Sequence, residues 1–241
     1  MIKHYSVSLV MPCRDEEQAL KEVLKKLPKE IDEVIVVNNN SSDATESIAQ
    51  KFGAKILYEN RTDKYGIGYG FALQKGIRKA TGSIIACMDG DDSYPIKKIP
   101  YFVNILLKNK LDFISCNRLP FKKPRKMSAV RTFGVKILNI TLWLLFGTRI
   151  SDSLSGMWVF RKNVLDYISL NEGGWNFSLE IKIKTITNPS LRFAEYAIKY
   201  KDRVLNISKQ NLLQTGIEHV LYLFRLRRTF RSTAQKLSLS E

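Results

Sequence analysis

The first half of the chain alternates short apolar runs with segments whose apolar residues recur at helical spacing, and few folds accommodate that rhythm. Val7–Met11, Val34–Val37, Ala54–Tyr58, Ser83–Met88 and Asp112–Cys116 are strand-length. Between them, Ala19, Leu20, Val23, Leu24 and Leu27 mark one helical face. A second helix runs from Asp43 to Gly53, a third from the Gly66–Gly70 run to Ala80, and a fourth over Ile99–Leu107. Strands joined by helices of this length need right-handed crossovers, so the expected class is α/β: a doubly wound, mostly parallel sheet with helices on both faces. Asp15 with Gln18 has the form of a capping box for the first helix, and Asp43 and Glu46 are placed to cap the second.

The second half is less regular. Phe121–Arg125 reads as a basic loop, 130–146 as a helix, Ser151–Gly156 as a turn and Met157–Phe160 as a strand. Arg192–Tyr200 is a further candidate strand and Leu212–Arg228 a helix with a basic end. No repeat or low-complexity linker interrupts the 241 residues. The expected organisation is one domain over 1–210 with a basic amphipathic helix and tail over 211–241. Cys13, Cys87 and Cys116 each sit at or near the end of an apolar run, which suits reduced, buried thiols of a cytoplasmic protein. No signal peptide is expected, since Met1–Tyr5 leads directly into a strand. The longest apolar stretch, Val135–Phe146, is shorter than the roughly 20 residues a membrane span takes.

Lys and Arg number 39 against 23 Asp and Glu, a net charge of +16, which calls for an anionic partner: nucleic acid, an acidic membrane surface or a phosphorylated substrate. Ligands of parallel sheets sit beyond the carboxyl ends of the strands. Four polar clusters fall at such ends and are expected to converge: Pro12–Glu16, Asn38–Asp43, Asp89–Ser93 and Asn117–Arg118. In so basic a chain the acids of Ser83–Ile96, SIIACMDGDDSYPI, stand out, because neighbouring carboxylates need a cation or water between them. Asp89 and Asp91 are spaced to face one hard divalent ion, Mg2+ or Mn2+, which takes one or two carboxylates plus phosphate oxygens. An Asp-x-Asp pair also occurs in many solvated loops; its place directly after an apolar strand favours metal. Asp92, before Ser93-Tyr94-Pro95, reads as a turn residue. The run GIGYG at Gly66–Gly70 follows the third strand, and no GxGxxG follows the first, so a dinucleotide fold is disfavoured. A tight helix entry accounts for these glycines as well as ligand contact does.

SLVMPCRDEE, VVNNNSSDAT, GYGFALQKGIRKATGSIIACMDGDDSYP, SCNR, SDSLSGMWVFRK and DRVLNISK occur in that order. The set, over about residues 5–210, resembles family 2 inverting glycosyltransferases of the GT-A fold, in the dolichol-phosphate mannose synthase or polyprenyl-phosphate glycosyltransferase branch. The resemblance implies transfer of a hexose from a GDP- or UDP-sugar to a polyprenyl phosphate. Pro12, Arg14 and Glu16 stand where the family holds the nucleotide; Val37 and Asn39 stand where the base is read, although an aspartate is usual at the Asn39 position. Asp89, Gly90 and Asp91 match the Asp-x-Asp that binds metal and sugar nucleotide, with Ser93 where some relatives add a ligand. Arg118, Arg131, Arg203 and Lys209 match cations that hold donor and acceptor phosphates. Asp91, Arg118 and Arg203 are thereby the expected catalytic residues.

Such chemistry needs charge stabilisation at the departing diphosphate. A phosphate acceptor is already ionised near neutral pH and needs orienting more than a base. A hydroxyl acceptor would need a base, and Glu180 is the candidate; equally, Glu180 reads as a helix-face acid paired with a nearby lysine. The basic segments FKKPRK (121–126) and Arg225, Arg227, Arg228, Arg231 flank apolar helices, so peripheral attachment to an anionic membrane at its cytoplasmic face is expected, against ordinary core-facing helices. No nucleic-acid recognition motif accompanies the charge, and nucleic acid is not an expected partner. His4 and His219 carry no ligand-like spacing. Trp175 and Asn176, in a Gly-Gly-Trp-Asn loop, are placed at the border of the acceptor site.

Overall fold

The structure, a computed structural model, describes residues 5–66, 68–119, 129–201 and 212–238, with the side chains of 129–132, 212–213 and 231–238 left aside. Seven strands form one sheet in the order β3-β2-β1-β4-β6-β5-β7. They are β1 (Val7–Cys13), β2 (Glu33–Asn38), β3 (Lys55–Tyr58), β4 (Ile84–Cys87), β5 (Phe113–Asn117), β6 (Trp158–Arg161) and β7 (Phe193–Ala197). The helices are α1 (Glu17–Leu24), α2 (Thr45–Lys51), α3 (Tyr69–Lys79), α4 (Ile99–Lys108), α5 (Ala129–Phe146), α6 (Phe177–Ile186) and α7 (Leu212–Ser238). β6 alone runs antiparallel to its neighbours β4 and β5. The mostly parallel, doubly wound expectation holds.

The period-2 alternation of the central strands divides the core in two. Leu9 and Met11 of β1, with Ile84 and Ala86 of β4, join Leu20, Val23, Phe102 and Leu106 of α1 and α4 in one cluster. Val10, Ile85 and Cys87 face the other way, toward Ala72, Leu73 and Ile77 of α3 and Phe177 and Ile181 of α6. Gly76 makes that second layer tight, since a Cβ there would come within 2.4 Å of Val10 Cγ1. A third cluster, Leu138, Leu142, Leu179, Ile183, Tyr222, Leu223 and Leu226, packs α5, α6 and α7 together. Each large aliphatic side chain buried in this way contributes about 1.5–3 kcal/mol.

Two expectations need correcting. Asp15 does not cap α1: it takes a left-handed φ of 52°, and its carboxylate accepts the Ser42 N–H at 2.8 Å. Asp43 caps α2 as expected, accepting the Thr45 N–H at 3.0 Å, whereas Glu46 accepts from Asn38, Gln50 and Tyr58 instead; the remaining donors at the two helix starts are met across the gap between them. Asp43 accepts the Glu17 N–H at 3.0 Å, Glu17 accepts the Ala44 N–H at 3.0 Å, and the Thr45 hydroxyl accepts the Glu16 N–H at 2.8 Å. Orphan amide donors of both helices are thus met by two acids, which the helix dipole also favours, and by one hydroxyl. The second correction is α6, which the periodicity did not reveal. Eight of its ten residues are buried, so no amphipathic stripe exists to read. The C-terminal helix runs on to Ser238, ten residues beyond the expected Arg228. The basic loop at 121–125 lies outside the described residues.

Candidate active site

The carboxyl ends of β1, β2 and β4 bring three of the four polar clusters into contact. Asn39 donates its N–H to Cys13 O at 2.9 Å, and the Ser41 hydroxyl accepts from Asp15 N at 3.1 Å, which zips the β1 loop to the β2 loop. The β4 loop presses on the same place: a Cβ on Gly90 would meet Cys13 Sγ at 2.5 Å. Burial, and then the carboxylates of Glu16, Asp89, Asp91 and Asp43 in that order, push the Cys13 thiol well above its ordinary range. The buried thiol therefore reports a concentration of negative charge around the end of β1.

Within it, Asp89 receives the Tyr69 hydroxyl at 3.0 Å, and the Tyr69 ring packs at a tilt against Trp175 with centroids 4.7 Å apart. The backbone of Gly156 closes in behind Asp89; a Cβ there would lie 3.2 and 3.3 Å from its two carboxylate oxygens. Asp91 is buried and accepts both the N–H and the hydroxyl of Ser93. The Ser93 hydroxyl is thus directed at Asp91. Asp92 turns away with φ 58° and pairs with Lys26 at 2.7 Å, the turn residue its sequence suggested. No group of three or more His, Cys, Asp and Glu able to hold a metal exists among the described residues. Two carboxylates at a strand end, with oxygen donors only, fit Mg2+ or Mn2+ completed by phosphate oxygens and do not fit a closed structural zinc site.

The fourth cluster enters through Arg118. Its Nε and Nη2 form a fork on Asp152, 2.7 and 2.9 Å, and its N–H reaches the same carboxylate at 3.0 Å. Burial would raise the Asp152 carboxyl, but the Arg118 guanidinium outweighs it and holds the group below the usual carboxylate range. The guanidinium also lies 5.3 Å over the Tyr200 ring, and Tyr200 meets Tyr94 edge-on at 5.1 Å. The Tyr94 hydroxyl accepts the Gly156 N–H at 2.7 Å, which closes a continuous path from Arg118 to the back of Asp89.

The other expected residues take varied positions. Pro12 pairs with Val37 in the β1–β2 ladder. The Val37 side chain is fully buried against Gly76 of α3, so only its backbone could face a base. Asn39 is buried and donates its amide to Glu59 O, a fixed polar group at the end of β2. Glu16 is buried, and Arg14 is exposed with Nη1 3.5 Å from Gly66 O. Glu180 takes the second of its two readings. Its oxygens accept from Asn171 N at 2.9 and 3.1 Å, Glu172 N at 2.9 Å and Lys184 Nζ at 2.7 Å, which makes it the anchor of the 170–176 loop. Arg203, Lys209 and the Arg131 side chain lie outside the described residues.

Asp152, Tyr69, Tyr94, Tyr200 and His219 went unread in the sequence. Tyrosines and a lone turn acid carry no spacing signal; only the SDSLSG turn as a whole stood out. His219 Nδ1 lies 2.7 Å from Asn176 Oδ1, tying α7 to the Gly-Gly-Trp-Asn loop.

The architecture matches that of solved sugar-nucleotide enzymes. Glucosyl-3-phosphoglycerate synthase from Mycobacterium tuberculosis, in complex with Mn2+, UDP and glucosyl-3-phosphoglycerate, superposes with a TM-score of 0.74 at 19% identity, over 93% of this chain and 80% of that one. The fold is therefore of the GT-A type. The sequence model of glycosyl transferase family 2 matches residues 8–169, and the chain belongs to that family of glycosyltransferases. Among its relatives, a dolichyl-phosphate hexose transferase of Haloferax volcanii is 27% identical over 203 residues, 82% of this chain and 83% of the relative. A dolichol-phosphate mannosyltransferase of Pyrococcus furiosus is 26% identical over 74% of this chain, which spans 52% of that protein's length. A dodecaprenyl-phosphate galacturonate synthase of Rhizobium johnstonii is 25% identical over 89% of this chain and 64% of the relative.

Proposed function

We propose that the protein moves a hexose, with inversion, from a nucleotide diphosphate sugar to a polyprenyl phosphate at a membrane surface. The observation that carries this reading is the convergence of Asp89 and Asp91 on the β1 and β2 loops at the carboxyl edge of the sheet. Asp89 and Asp91 would hold Mg2+ or Mn2+, which when bound supplies charge stabilisation at the departing diphosphate. Pro12, Arg14, Glu16 and Asn39 border the nucleotide side, and Tyr69 orients Asp89. The ionised acceptor phosphate attacks the anomeric carbon in line, oriented by cations. Arg118, locked on Asp152, shapes the acceptor side; Arg131, Arg203 and Lys209 supply the remaining positive charge.

The names of three relatives, each a transferase of dolichyl, dolichol or dodecaprenyl phosphate, support the acceptor class. Glu180 argues in the same direction: a carboxylate accepting from two backbone N–H groups and a lysine is poorly suited to take a proton from a hydroxyl acceptor. A membrane location is supported by the outer faces of two helices. Phe133, Ile137, Ile140 and Leu144 of α5 and Ile217, Leu221 and Phe224 of α7 are exposed at helical spacing, beside exposed Lys136, Arg225 and Arg228. No helix among the described residues is long and apolar enough to cross a membrane.

The test is direct. Protein incubated with Mn2+ or Mg2+, a panel of UDP- and GDP-sugars and a short polyprenyl phosphate should yield a lipid-linked sugar detectable by mass. Product formed only with a hydroxyl acceptor would overturn the reading.

A further inference from the structure

Lys182 of α6 is fully buried, a rare state for lysine unless a partner compensates it. Its ammonium donates to Asp152 O at 3.0 Å and Ser155 O at 2.9 Å, carbonyls at the two ends of the turn that precedes β6. Four other titratable groups act on it or are acted on by it: Asp152 and Glu195 as anions, Arg118 as a cation, and Cys116 of β5. From α7, His219 also feels its charge. Glu195 of β7 grips the same turn, accepting from Ser151 N at 2.6 Å and Asp152 N at 3.1 Å. Two cations, the buried Lys182 and the largely buried Arg118, therefore face the buried Asp152, with the half-buried Glu195 as the second anion beside the turn.

The turn so gripped ends in Gly156, whose backbone forms the wall behind Asp89 and whose N–H is held by Tyr94. Displacing this backbone by a few tenths of an ångström moves the surface against which the Asp89 carboxylate rests. A methionine would fill the same volume without the cost of burying a charge, so an ammonium here calls for a reason beyond packing.

We propose that Lys182 is a positioning residue for donor binding: by clamping the carbonyls of Asp152 and Ser155 it fixes the Gly156 backbone that sets the orientation of Asp89. The inference rests on Asp89 serving the donor diphosphate with a divalent ion. It adds a pH dependence. Burial, opposed by Asp152, lowers the Lys182 ammonium to about 7, so the clamp loses its charge as the pH rises through neutrality.

The experiment measures calorimetric binding of UDP and of GDP to the full chain in MnCl2, between about pH 6 and pH 9, for wild type, Lys182→Met and Asp89→Asn. Melting curves on the same samples confirm folding. Residues that orient a metal ligand from behind typically alter affinity by 10–100-fold, so Lys182→Met should weaken the preferred nucleotide about tenfold at pH 6. The gap should narrow as the pH passes about 7, because the wild type then loses the charge the variant never had. Lys182→Gln, which keeps one donor, should fall between the two, and it replaces Lys182→Met if that variant fails to fold. Affinities within about twofold of wild type at every pH, or a loss independent of pH, would overturn the role of Lys182. If Asp89→Asn binds as wild type does, the underlying reading of Asp89 fails instead. If Asp89→Asn loses binding while Lys182→Met keeps it, only the positioning role fails.

Discussion

The two sides of the site are built on different principles. On the β1–β2 side, polar loops are joined by backbone amides donating to carbonyls and to short, partly exposed side chains, as in Asn39 N to Cys13 O and Ser42 N to the Asp15 carboxylate. On the β5–β6 side, the irregular turn at 151–156 and the loop at 170–176 are held by buried charges: Arg118 with Asp152, Lys182 on two carbonyls, Glu180 with Lys184. A regular strand end brings its own neighbours into register and needs little more. A turn between a helix and the single antiparallel strand has no ladder to lean on, and charge-assisted bonds supply the constraint.

The contrast can be broken at several points. Alanine at both Asp89 and Asp91 should lower transfer by about 10³ or more in a protein that still melts cooperatively, since their charge serves the reaction. Intact transfer would refute the proposed function. Asp152→Ala leaves Arg118 buried without its anion, and should destabilise the protein by about 3–5 kcal/mol in urea unfolding. A loss below about 1 kcal/mol would mean that water or another acid rescues the guanidinium. His219 gives a pH arm. Burial lowers it from 6.5 to about 4, so the folded state binds fewer protons than the unfolded one between those values. The stability of the neutral ring is present above pH 6.5 and is lost as the pH falls toward 4. That loss amounts to about 3 kcal/mol at most, and His219→Gln should flatten this part of the acid unfolding curve. Glu180→Gln should cost about 1–3 kcal/mol of stability and leave turnover with a phosphate acceptor within about tenfold; abolished turnover in a folded protein would restore a hydroxyl acceptor. Finally, Ile140→Ser with Leu144→Ser should change stability by less than about 0.5 kcal/mol, because both are exposed. The same pair should reduce sedimentation with anionic liposomes at low salt, and unchanged sedimentation would place the contact elsewhere.

The contrast also explains what the sequence could disclose. β1, β2 and β4 were legible because their apolar runs end in polar clusters, and the parallel arrangement fixes where those ends go. The Asp-x-Asp pair was legible for the same reason. The capping of α1 was misread because Asp15 and Gln18 match a local rule, whereas the donors are met by residues 26 and 29 positions away. Buried ion pairs are harder still. Nothing in Arg118 or Asp152 alone announces that 34 positions of chain will fold them together. Glu180 could be read two ways because the lysine one turn on suits either role, and its bonds to the backbone of the 170–176 loop carry no sequence signal.

The crosswise completion of α1 and α2 has a consequence for how the chain assembles. Asp43 serves the Thr45 N–H locally, but the Glu16, Glu17 and Ala44 donors are met only when the other unit has arrived, so the two helix starts are coupled. Amide protons in Glu16, Glu17 and Ala44 should exchange with a single shared opening rate, and a cut placed between residues 25 and 32 should raise that rate for all three together.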